Sequence, residues 1–245
     1  MSGSPALRGG IIAAGEGRRL RQAGWAMPKP LVPVAGTPLI EHVIGNFVAA
    51  GISSLVIIVN EQAGECEGWL RARFPQLPLQ ILVKTTGSSL ESFQEVGARL
   101  GPGPALISTV DAWCPPEGFQ TFLEAARRMP PDATVLATTL LVDDEQPLWV
   151  TLDGGGRVTS LGGDAGDVVT AGMYLVSERV RRMCPPPAVR RLRDFLAWLV
   201  ERGEPVYGVT LPAVVDVDRA EDVAFAEGLA RGEGQPPRHA PGGGA

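Results

Sequence analysis

Residues 9–20 read GGIIAAGEGRRL, and this stretch decides how the rest of the fold is interpreted. Its first half is a short apolar run, and its second half is a turn that contains Gly15 and Gly17. An apolar run that ends in a glycine turn is typical of a buried parallel strand. We therefore predict a first strand over residues 9–14, followed at once by a tight turn.

Short apolar runs alternate with amphipathic stretches along the next part of the chain. The apolar runs predict strands over residues 55–59, 79–83, 105–110 and 133–142. The helical spacing of apolar residues predicts helices over 38–50, 65–73, 88–100 and 117–129. This alternation predicts an α/β fold with a doubly wound, mostly parallel sheet of the Rossmann-like type.

The pattern changes after residue 142. The sequence predicts a hairpin over 147–161, strands over 168–176 and 205–211, and helices over 189–202 and 219–230. We interpret residues 1–231 as a single domain, with one half over 9–142 and a small β-rich subdomain over 143–231. Proline and glycine are frequent in residues 232–245, which predicts a disordered tail.

The composition limits the classes of partner. The chain has 245 residues, of which 44% are hydrophobic and 20% charged, and its formal net charge is −5. An acidic chain without a basic stripe does not fit a nucleic-acid binder. No segment approaches the roughly 18 to 20 apolar residues of a membrane span, so we expect no membrane partner. The first residues lack the apolar core of a signal peptide, and we expect a cytoplasmic protein.

The glycine turn and the segment PKPL at residues 28–31 together indicate a site for phosphate groups. Gly15 and Gly17 let the backbone approach phosphates closely, with its N–H groups as donors. Arg19 and Lys29 would add two positive charges, and the prolines on both sides of Lys29 would fix its direction. The turn is neither a G-x-G-x-x-G fingerprint nor a Walker A loop, because a third glycine and a G-K-[ST] segment are missing.

Three segments together resemble a known family. They are AAGEGRRL at 13–20, PKPL at 28–31 and VAGTPLI at 34–40. This string is similar to the nucleotidyltransferases that make sugar nucleotides from sugar 1-phosphates. The resemblance is most specific over residues 9–60 and continues more loosely to about residue 230. It implies the nucleotide-sugar-transferase type of Rossmann-like fold.

The resemblance implies roles for the residues around the glycine turn. The implied nucleotide-binding residues are Ala13, Ala14, Gly15, Gly17, Gly87 and Ser88. The glycine turn would wrap the triphosphate of an NTP, and residues 87–88 would form a short loop beside the base. Arg19 would bind the β- and γ-phosphates, while Lys29 would hold the α-phosphate during attack. Both cations are therefore expected to be catalytic.

The resemblance also implies a magnesium site. It places a metal-binding carboxylate at Asp111, which follows an apolar strand, and a second at Asp216 in the segment VVDVDRAEDVAFAE. Mg²⁺ prefers carboxylate oxygens, and it would neutralise charge during nucleotidyl transfer, so Asp111 is expected to be catalytic as well. Asp218 lies close enough along the chain to be confused with Asp216. Asp222 is interpreted as a solvated or dipole-favouring charge in the final helix.

The acceptor half follows the family pattern less well. Thr170 and Gly172 match the strand that lines the acceptor pocket. The segment SLGGDAGD at 160–167 contains no lysine, where the family commonly has a lysine that binds the acceptor phosphate. Further departures are Leu82, Val110 and Arg219, where glutamine, glycine and threonine are usual. Trp113 and Trp149 could form an aromatic wall for a quaternary ammonium group, although packing in the core or at the rim is the simpler interpretation.

These observations predict a magnesium-dependent nucleotidyltransferase that moves NMP from an NTP to a sugar 1-phosphate or another small phosphorylated acceptor and releases pyrophosphate. A phosphocholine-type cytidylyltransferase is one variant. The alternative is a regulatory protein that binds NTP or a nucleotide sugar with weak or no turnover, which the missing lysine favours. A glycosyltransferase fits less well, because PKPL is present and no D-x-D follows the fourth strand. The resemblance implies frequent homo-oligomers, and the sequence leaves the base, the acceptor and the oligomeric state open.

Overall fold

A nine-stranded sheet forms the centre of the protein in the computed structural model, which describes residues 7–52, 54–142 and 146–233. The strands of this sheet are β1 (Arg8–Ala13), β4 (Leu55–Val59), β5 (Leu79–Val83), β6 (Ala105–Thr109), β8 (Thr134–Thr139), β9 (Trp149–Leu152), β10 (Val158–Leu161), β11 (Val168–Val176) and β12 (Val206–Leu211). Two short ladders lie outside it and are formed by β2 (Pro33–Val34) with β3 (Thr37–Pro38) and by β7 (Ala112–Trp113) with β13 (Val215–Asp216). The helices are α1 (Arg18–Gln22), α2 (Leu39–Ala49), α3 (Gly64–Arg73), α4 (Ser89–Arg99), α5 (Pro116–Ala126), α6 (Glu178–Arg181), α7 (Leu192–Glu201) and α8 (Ala220–Ala230).

The first half of the sheet is parallel, in the order β5-β4-β1-β6. Strand β1 lies between β4 and β6, so the direction in which strands are added reverses beside it. In open α/β sheets, ligands bind beyond the carboxyl ends of the strands at such a switch point. The glycine turn follows β1 and Asp111 follows β6 soon after, so the sheet brings both to this edge.

Strand β11 joins the second half of the sheet to the first. It runs antiparallel to β6, β8 and β9, and β12 pairs in parallel with β8. Its pairing with β8 shifts register between Thr170 and Tyr174, where Gly172 has φ +70°. A Cβ at Gly172 would lie 2.5 Å from the Thr109 Oγ1 atom, so glycine is needed for both reasons. The β9–β10 hairpin pairs with β11 and extends the same sheet.

Helices cover both faces of the sheet. Ile11 belongs to one apolar cluster and Ile12 to the other, as the alternation of a strand requires. Side chains of α2, α3, α5 and α8 belong to the first cluster, and side chains of α4, α6 and α7 belong to the second. The predicted doubly wound, mostly parallel fold is therefore observed, whereas the division into halves at residue 142 stays a prediction.

Most predicted elements have nearly the predicted bounds, and β4, β5 and β11 have them without change. The strand predicted over 133–142 is too long, because it ends at Thr139. There the Thr139 hydroxyl accepts a hydrogen bond from the Leu141 backbone N–H at 3.2 Å and turns the chain out of the ladder. The elements that were not predicted are α1, α6, β2, β3, β7 and β13, which are too short to show a period.

The tail predicted to be disordered lies, from residue 234 onward, outside the described residues. Among the residues that the structure does describe, no helix combines the length and the apolar character needed to cross a bilayer.

Arg181 is a buried cation that joins α6 to the loop before β6. Its guanidinium donates hydrogen bonds to the backbone carbonyls of Gly97, Gly101 and Gly103 at 2.5, 2.9 and 2.6 Å. The side chain thereby ties α6 to a carbonyl group of α4 and to two carbonyl groups of the loop before β6. Arg181 therefore has a structural role, away from the glycine turn.

We expect Arg181→Met to lower the free energy of unfolding by about 3 kcal/mol or more, because buried acceptors that lose their donors cost roughly 1 to 3 kcal/mol each. The matched control is Arg182→Met, which removes an exposed charge paired with Glu178 at 2.8 Å and should cost at most about 1 kcal/mol. Urea unfolding of both variants tests this, and equal losses would contradict the assigned role.

Candidate functional site

The glycine turn lies directly against the segment that carries Lys29. Gly17 has φ +59° and immediately precedes α1, so the turn needs a left-handed residue there. A Cβ at Gly17 would lie 2.7 Å from the Lys29 Cβ atom. Gly15, in contrast, has no atom within 4 Å of a Cβ built on it. Gly17 is therefore required for close packing, while Gly15 leaves open space beside the backbone.

Lys29 is buried and pairs with two carboxylates. Its Nζ atom lies 2.7 Å from the Asp111 Oδ2 atom and also pairs with the Asp218 Oδ1 atom. The Nη1 atom of Arg19 lies 3.2 Å from the Asp218 Oδ2 atom, so Asp218 bridges the two cations. Lys29 begins a 3-10 turn over Lys29–Leu31, in which the Leu31 N–H donates to the Pro28 carbonyl at 2.8 Å. This turn and its flanking prolines fix the direction of the side chain.

A short ladder brings the aspartates together. Strand β7 pairs antiparallel with β13, so that Asp216 lies opposite Ala112. The Val217 N–H also donates to the Asp111 carbonyl at 3.0 Å. Because this ladder joins two distant segments of the chain, Asp111 and the residues from 216 to 218 meet at one point.

Asp222 holds the second of these segments in place. Its carboxylate accepts hydrogen bonds from the backbone N–H groups of Asp218 and Arg219 at 2.8 and 2.7 Å. Only 3% of Asp222 is exposed, so it is not a solvated charge, whereas its position in the first turn of α8 agrees with the dipole-favouring alternative. A carboxylate at this position satisfies N–H groups at the start of α8 and orients Asp218.

The three aspartates form a carboxylate cluster suited to a divalent cation. Oxygens of Asp111, Asp216 and Asp218 lie within 4.8 Å of one another. Hard cations such as Mg²⁺ bind carboxylate oxygens and keep several waters, so the donor set fits the predicted magnesium ion. Asp216 is the second ligand predicted from the sequence, and the structure adds Asp218 to the cluster.

Charge pairing controls the ionisation of this cluster. Burial alone would raise the pKa of Asp111, but the charge of Lys29 and its hydrogen bond bring that pKa below its ordinary value. Burial alone would lower the pKa of Lys29, and the charges of Asp111, Asp218 and Asp216 raise it instead. The site therefore holds the Lys29 ammonium and the ionised Asp111 carboxylate side by side at neutral pH.

A cavity of roughly 470 Å³ opens beside the carboxylate cluster. The predicted residues that line it are Arg19, Asp111, Thr170, Gly172 and Asp216. A second hollow of roughly 130 Å³ is lined by Gly15, Lys29 and Asn60, among others. The structure thus brings the predicted acceptor residues and the predicted metal ligands to the same cavity, while Gly15 lines the second hollow.

Asn60 connects the glycine turn to the loop that the resemblance places beside the base. Its Nδ2 atom donates to the Ala14 carbonyl at 3.1 Å, and its Oδ1 atom accepts from the Thr85 hydroxyl at 3.2 Å. Asn60 is buried, and the sequence analysis gave it no role. The signal that could have identified Asn60 is its position directly after a buried strand, at the carboxyl end.

The predicted loop at Gly87 and Ser88 forms the start of α4. The Ser88 hydroxyl accepts from the Glu91 N–H at 3.2 Å, and the Glu91 carboxylate accepts from the Gly87 N–H at 2.7 Å. The Ser88 hydroxyl thus caps the first turn of α4, and the Glu91 carboxylate reaches back to the residue before this N-cap. The Gly87 N–H is therefore paired within the loop, and a ligand that uses it must replace Glu91.

The two tryptophans do not form an aromatic wall. Trp113 is buried and packs edge-on against His42, with ring centroids 6.1 Å apart. Among the described residues, neither Trp113 nor Trp149 lines the larger cavity, whereas Tyr174 does. The interpretation of the tryptophans as packing residues is the one that agrees with the structure.

Several known proteins are similar in sequence to this chain. A family model described as MobA-like NTP transferase domain matches residues 9–166. The bifunctional IPC transferase and DIPP synthase of Rubrobacter xylanophilus is 28% identical over 248 residues, which cover 94% of this chain and 53% of that protein. The N-acetylmuramate alpha-1-phosphate uridylyltransferase of Caulobacter vibrioides is 34% identical over 107 residues, which cover 42% of this chain and 44% of that protein. The chain thus spans about half the length of these curated relatives.

A solved structure resembles the whole described fold. The inositol-1-phosphate CTP transferase from T. maritima superposes with a TM-score of 0.78 at 17% identity, covering 94% of this chain and 98% of that one. At this identity the likeness concerns the fold, and it confirms the fold class predicted from the sequence.

Replacing Lys29 with methionine should tighten the binding of a divalent cation at the carboxylate cluster. In the wild type the cation must compete with the ammonium for Asp111 and Asp218. Two unit charges 4 Å apart interact by about 4 kcal/mol at an effective dielectric of 20. If only a quarter of this repulsion between Lys29 and the cation is relieved, about 1 kcal/mol, the affinity for the cation rises roughly fivefold. We expect the Kd for Mn²⁺, measured by electron paramagnetic resonance, to fall by about fivefold or more.

Lys84→Met is the matched control for this experiment. Lys84 pairs with Glu91 and Glu95 at 2.8 and 2.7 Å, so its loss changes the net charge by the same amount without touching the cluster. If the Kd for Mn²⁺ is equal in both variants, or higher in Lys29→Met than in Lys84→Met, Mn²⁺ does not use the carboxylates of the cluster.

Proposed function

The chain belongs to the MobA-like NTP transferase domain family, and from this premise we propose that it transfers a nucleotidyl group from an NTP to a small phosphorylated acceptor. The observation that carries the proposal is the network of Arg19, Lys29 and the carboxylate cluster at the switch point of the sheet. Two cations and a metal-binding cluster beside a glycine turn are what a triphosphate requires.

The proposed reaction is an in-line displacement at the α-phosphorus. An oxygen of the acceptor phosphate forms a bond to this phosphorus, and the bond from the α-phosphorus to the bridging oxygen breaks. Pyrophosphate leaves with the electron pair of that bond. No general base is needed, because a phosphate oxygen already carries the negative charge of the nucleophile.

Lys29 and Arg19 would supply most of the charge stabilisation that comes from side chains. Lys29 would hold the non-bridging oxygens of the α-phosphate, and Arg19 would bind the β- and γ-phosphates. Asp111 and Asp216, with Asp218 beside them, would hold Mg²⁺, which supplies charge neutralisation when bound. Alignment and fixed charges of this kind account for most of the rate enhancement in phosphoryl-type transfers.

We propose CTP and inositol 1-phosphate as the first substrate pair to test. The relative that aligns with 94% of this chain is named as an IPC transferase, and the T. maritima structure is that of an inositol-1-phosphate CTP transferase. A 2-aminoethylphosphonate cytidylyltransferase from Lancefieldella rimae is also 38% identical over 80 residues. These names support a cytidine nucleotide and a small phosphorylated or phosphonylated acceptor.

Pyrophosphate release with Mg²⁺ tests the proposal. We expect release that depends on one NTP and one acceptor, from a matrix of CTP, ATP, GTP, UTP and dTTP against inositol 1-phosphate, sugar 1-phosphates, phosphocholine and 2-aminoethylphosphonate. If no pair releases pyrophosphate while calorimetry still detects NTP binding, the chain is a nucleotide-binding protein and the proposed activity is wrong.

Lys29→Ala and Asp111→Ala should each lower turnover on the order of 10²-fold or more, because each removes charge stabilisation of the transition state. Turnover is measured with the substrate pair that the matrix identifies, after circular dichroism has verified the fold. Lys84→Ala is the control and should retain wild-type turnover. Wild-type turnover in both Lys29→Ala and Asp111→Ala would overturn the mechanism.

A further inference from the structure

The chain has very few lysines that could neutralise an acceptor phosphate. It contains two lysines, Lys29 and Lys84, and none in the 161 residues that follow. Lys29 pairs with the carboxylate cluster, and Lys84 pairs with Glu91 and Glu95. If the proposed function holds, a cation in the second half of the chain that meets the acceptor must be an arginine.

Two arginines in the wall of the larger cavity meet this requirement. Among the described residues that line it, the charged ones are Arg19, Arg191, Arg193, Asp111, Asp216 and Asp218. Arg19 pairs with Asp218 near the glycine turn. Arg191 and Arg193 come from the start of α7 and therefore place positive charge in a different part of the same wall.

Arg193 is held in this wall by its neighbours and by its own side chain. The Leu192 N–H donates to the Ser89 hydroxyl at 3.1 Å, and the Arg191 N–H donates to the Asp194 carboxylate at 3.0 Å. The Nη2 atom of Arg193 donates to the Gln146 carbonyl at 3.0 Å. A guanidinium has five N–H donors in a rigid fork, and this bond uses one of them.

Arg193 and two carboxylates of the cluster act on the pKa of the same residue, Tyr174. The pKa of the buried Tyr174 phenol is raised by burial first, then by the charges of Asp111 and Asp216, whereas Arg193 acts in the opposite direction. Tyr174 thus lies within electrostatic reach of both the cluster and the guanidinium. All of these residues line one continuous cavity.

We propose that Arg193 binds the phosphate group of the acceptor, with Arg191 at the outer edge, so that the substrate class is a small phosphomonoester or phosphonate. The guanidinium of Arg193 would donate hydrogen bonds to two oxygens of the phosphate, while a third oxygen faces the α-phosphorus beside the carboxylate cluster. This inference rests on the proposed function, and it assigns the recognition of the phosphate to residues that the family motifs do not supply.

Kinetics of four full-length proteins test the assignment. They are the wild type, Arg193→Gln, Arg193→Lys and Arg190→Gln, where Arg190 is an exposed arginine of the same segment that does not line the cavity. With inositol 1-phosphate and CTP, or with the pair that the pyrophosphate matrix identifies, we expect Arg193→Gln to raise the KM for the acceptor by about tenfold or more. The KM for the NTP should change by less than about twofold, Arg193→Lys should restore part of the effect, and Arg190→Gln should match the wild type.

Calorimetry without NTP separates this inference from the proposed function. Wild-type protein is titrated with inositol 1-phosphate, glucose 1-phosphate and phosphocholine, and with inositol, glucose and choline as counterparts that lack the phosphate. We expect binding that depends on the phosphate and is lost in Arg193→Gln but kept in Arg190→Gln. If the wild type shows this phosphate-dependent binding, Arg193→Gln loses it, and the wild type still has no turnover, the subsite stands and only the proposed activity is overturned.

Two outcomes would overturn the subsite itself. The first is turnover in which Arg193→Gln leaves the KM for the acceptor unchanged or raises the KM for the NTP by the same factor. The second is a wild-type protein that does not distinguish any of the three phosphorylated compounds from its counterpart.

Discussion

The buried ammonium of Lys29 is the constraint on which the rest of the site depends. A charge can be buried only where opposite charges and hydrogen bonds surround it. Asp111 and Asp218 supply these from positions 82 and 189 residues away along the chain. The glycine turn must pass close to Lys29, and the short β7–β13 ladder must bring the aspartates to it. One side chain therefore fixes the relative positions of three segments that are distant in sequence.

The same pairing implies that substrate binding is an exchange of partners. A triphosphate would compete with Asp218 for Arg19 and Lys29, while a divalent cation would compete with Lys29 for Asp111 and Asp218. The bound triphosphate would release the Asp218 carboxylate for the divalent cation. The bound cation would in turn release the Lys29 ammonium for the triphosphate. Because this favours both binding events, the two ligands should bind cooperatively, with the coupling carried by charge within one network.

The sequence was sufficient for the features that depend on local patterns. Apolar runs and turn glycines lie within a few residues of one another, so the parallel strands and the glycine turn could be predicted. The carboxylate cluster depends on a ladder of two residues in each strand, which leaves no period in the sequence. For that reason Asp218 was regarded as a neighbour of Asp216 rather than as the partner of Lys29. The type of residue at Trp113 suggested a binding surface, whereas its burial is set by packing against α2, which only the tertiary fold decides.

The proposed nucleotide and acceptor sides of the site obtain their positive charge in different ways. On the nucleotide side, Lys29 is confined by backbone geometry and by two ion pairs, so a substitution there disturbs several segments together. On the acceptor side, the cations stand on α7, whose Phe195 packs against Phe93 of α4 through the apolar cluster on one face of the sheet. Side chains at the start of α7 can therefore change without disturbing the Lys29 network. Since a guanidinium matches the geometry of a phosphate better than an ammonium does, arginines at this place can supply the recognition that the missing lysine would otherwise provide.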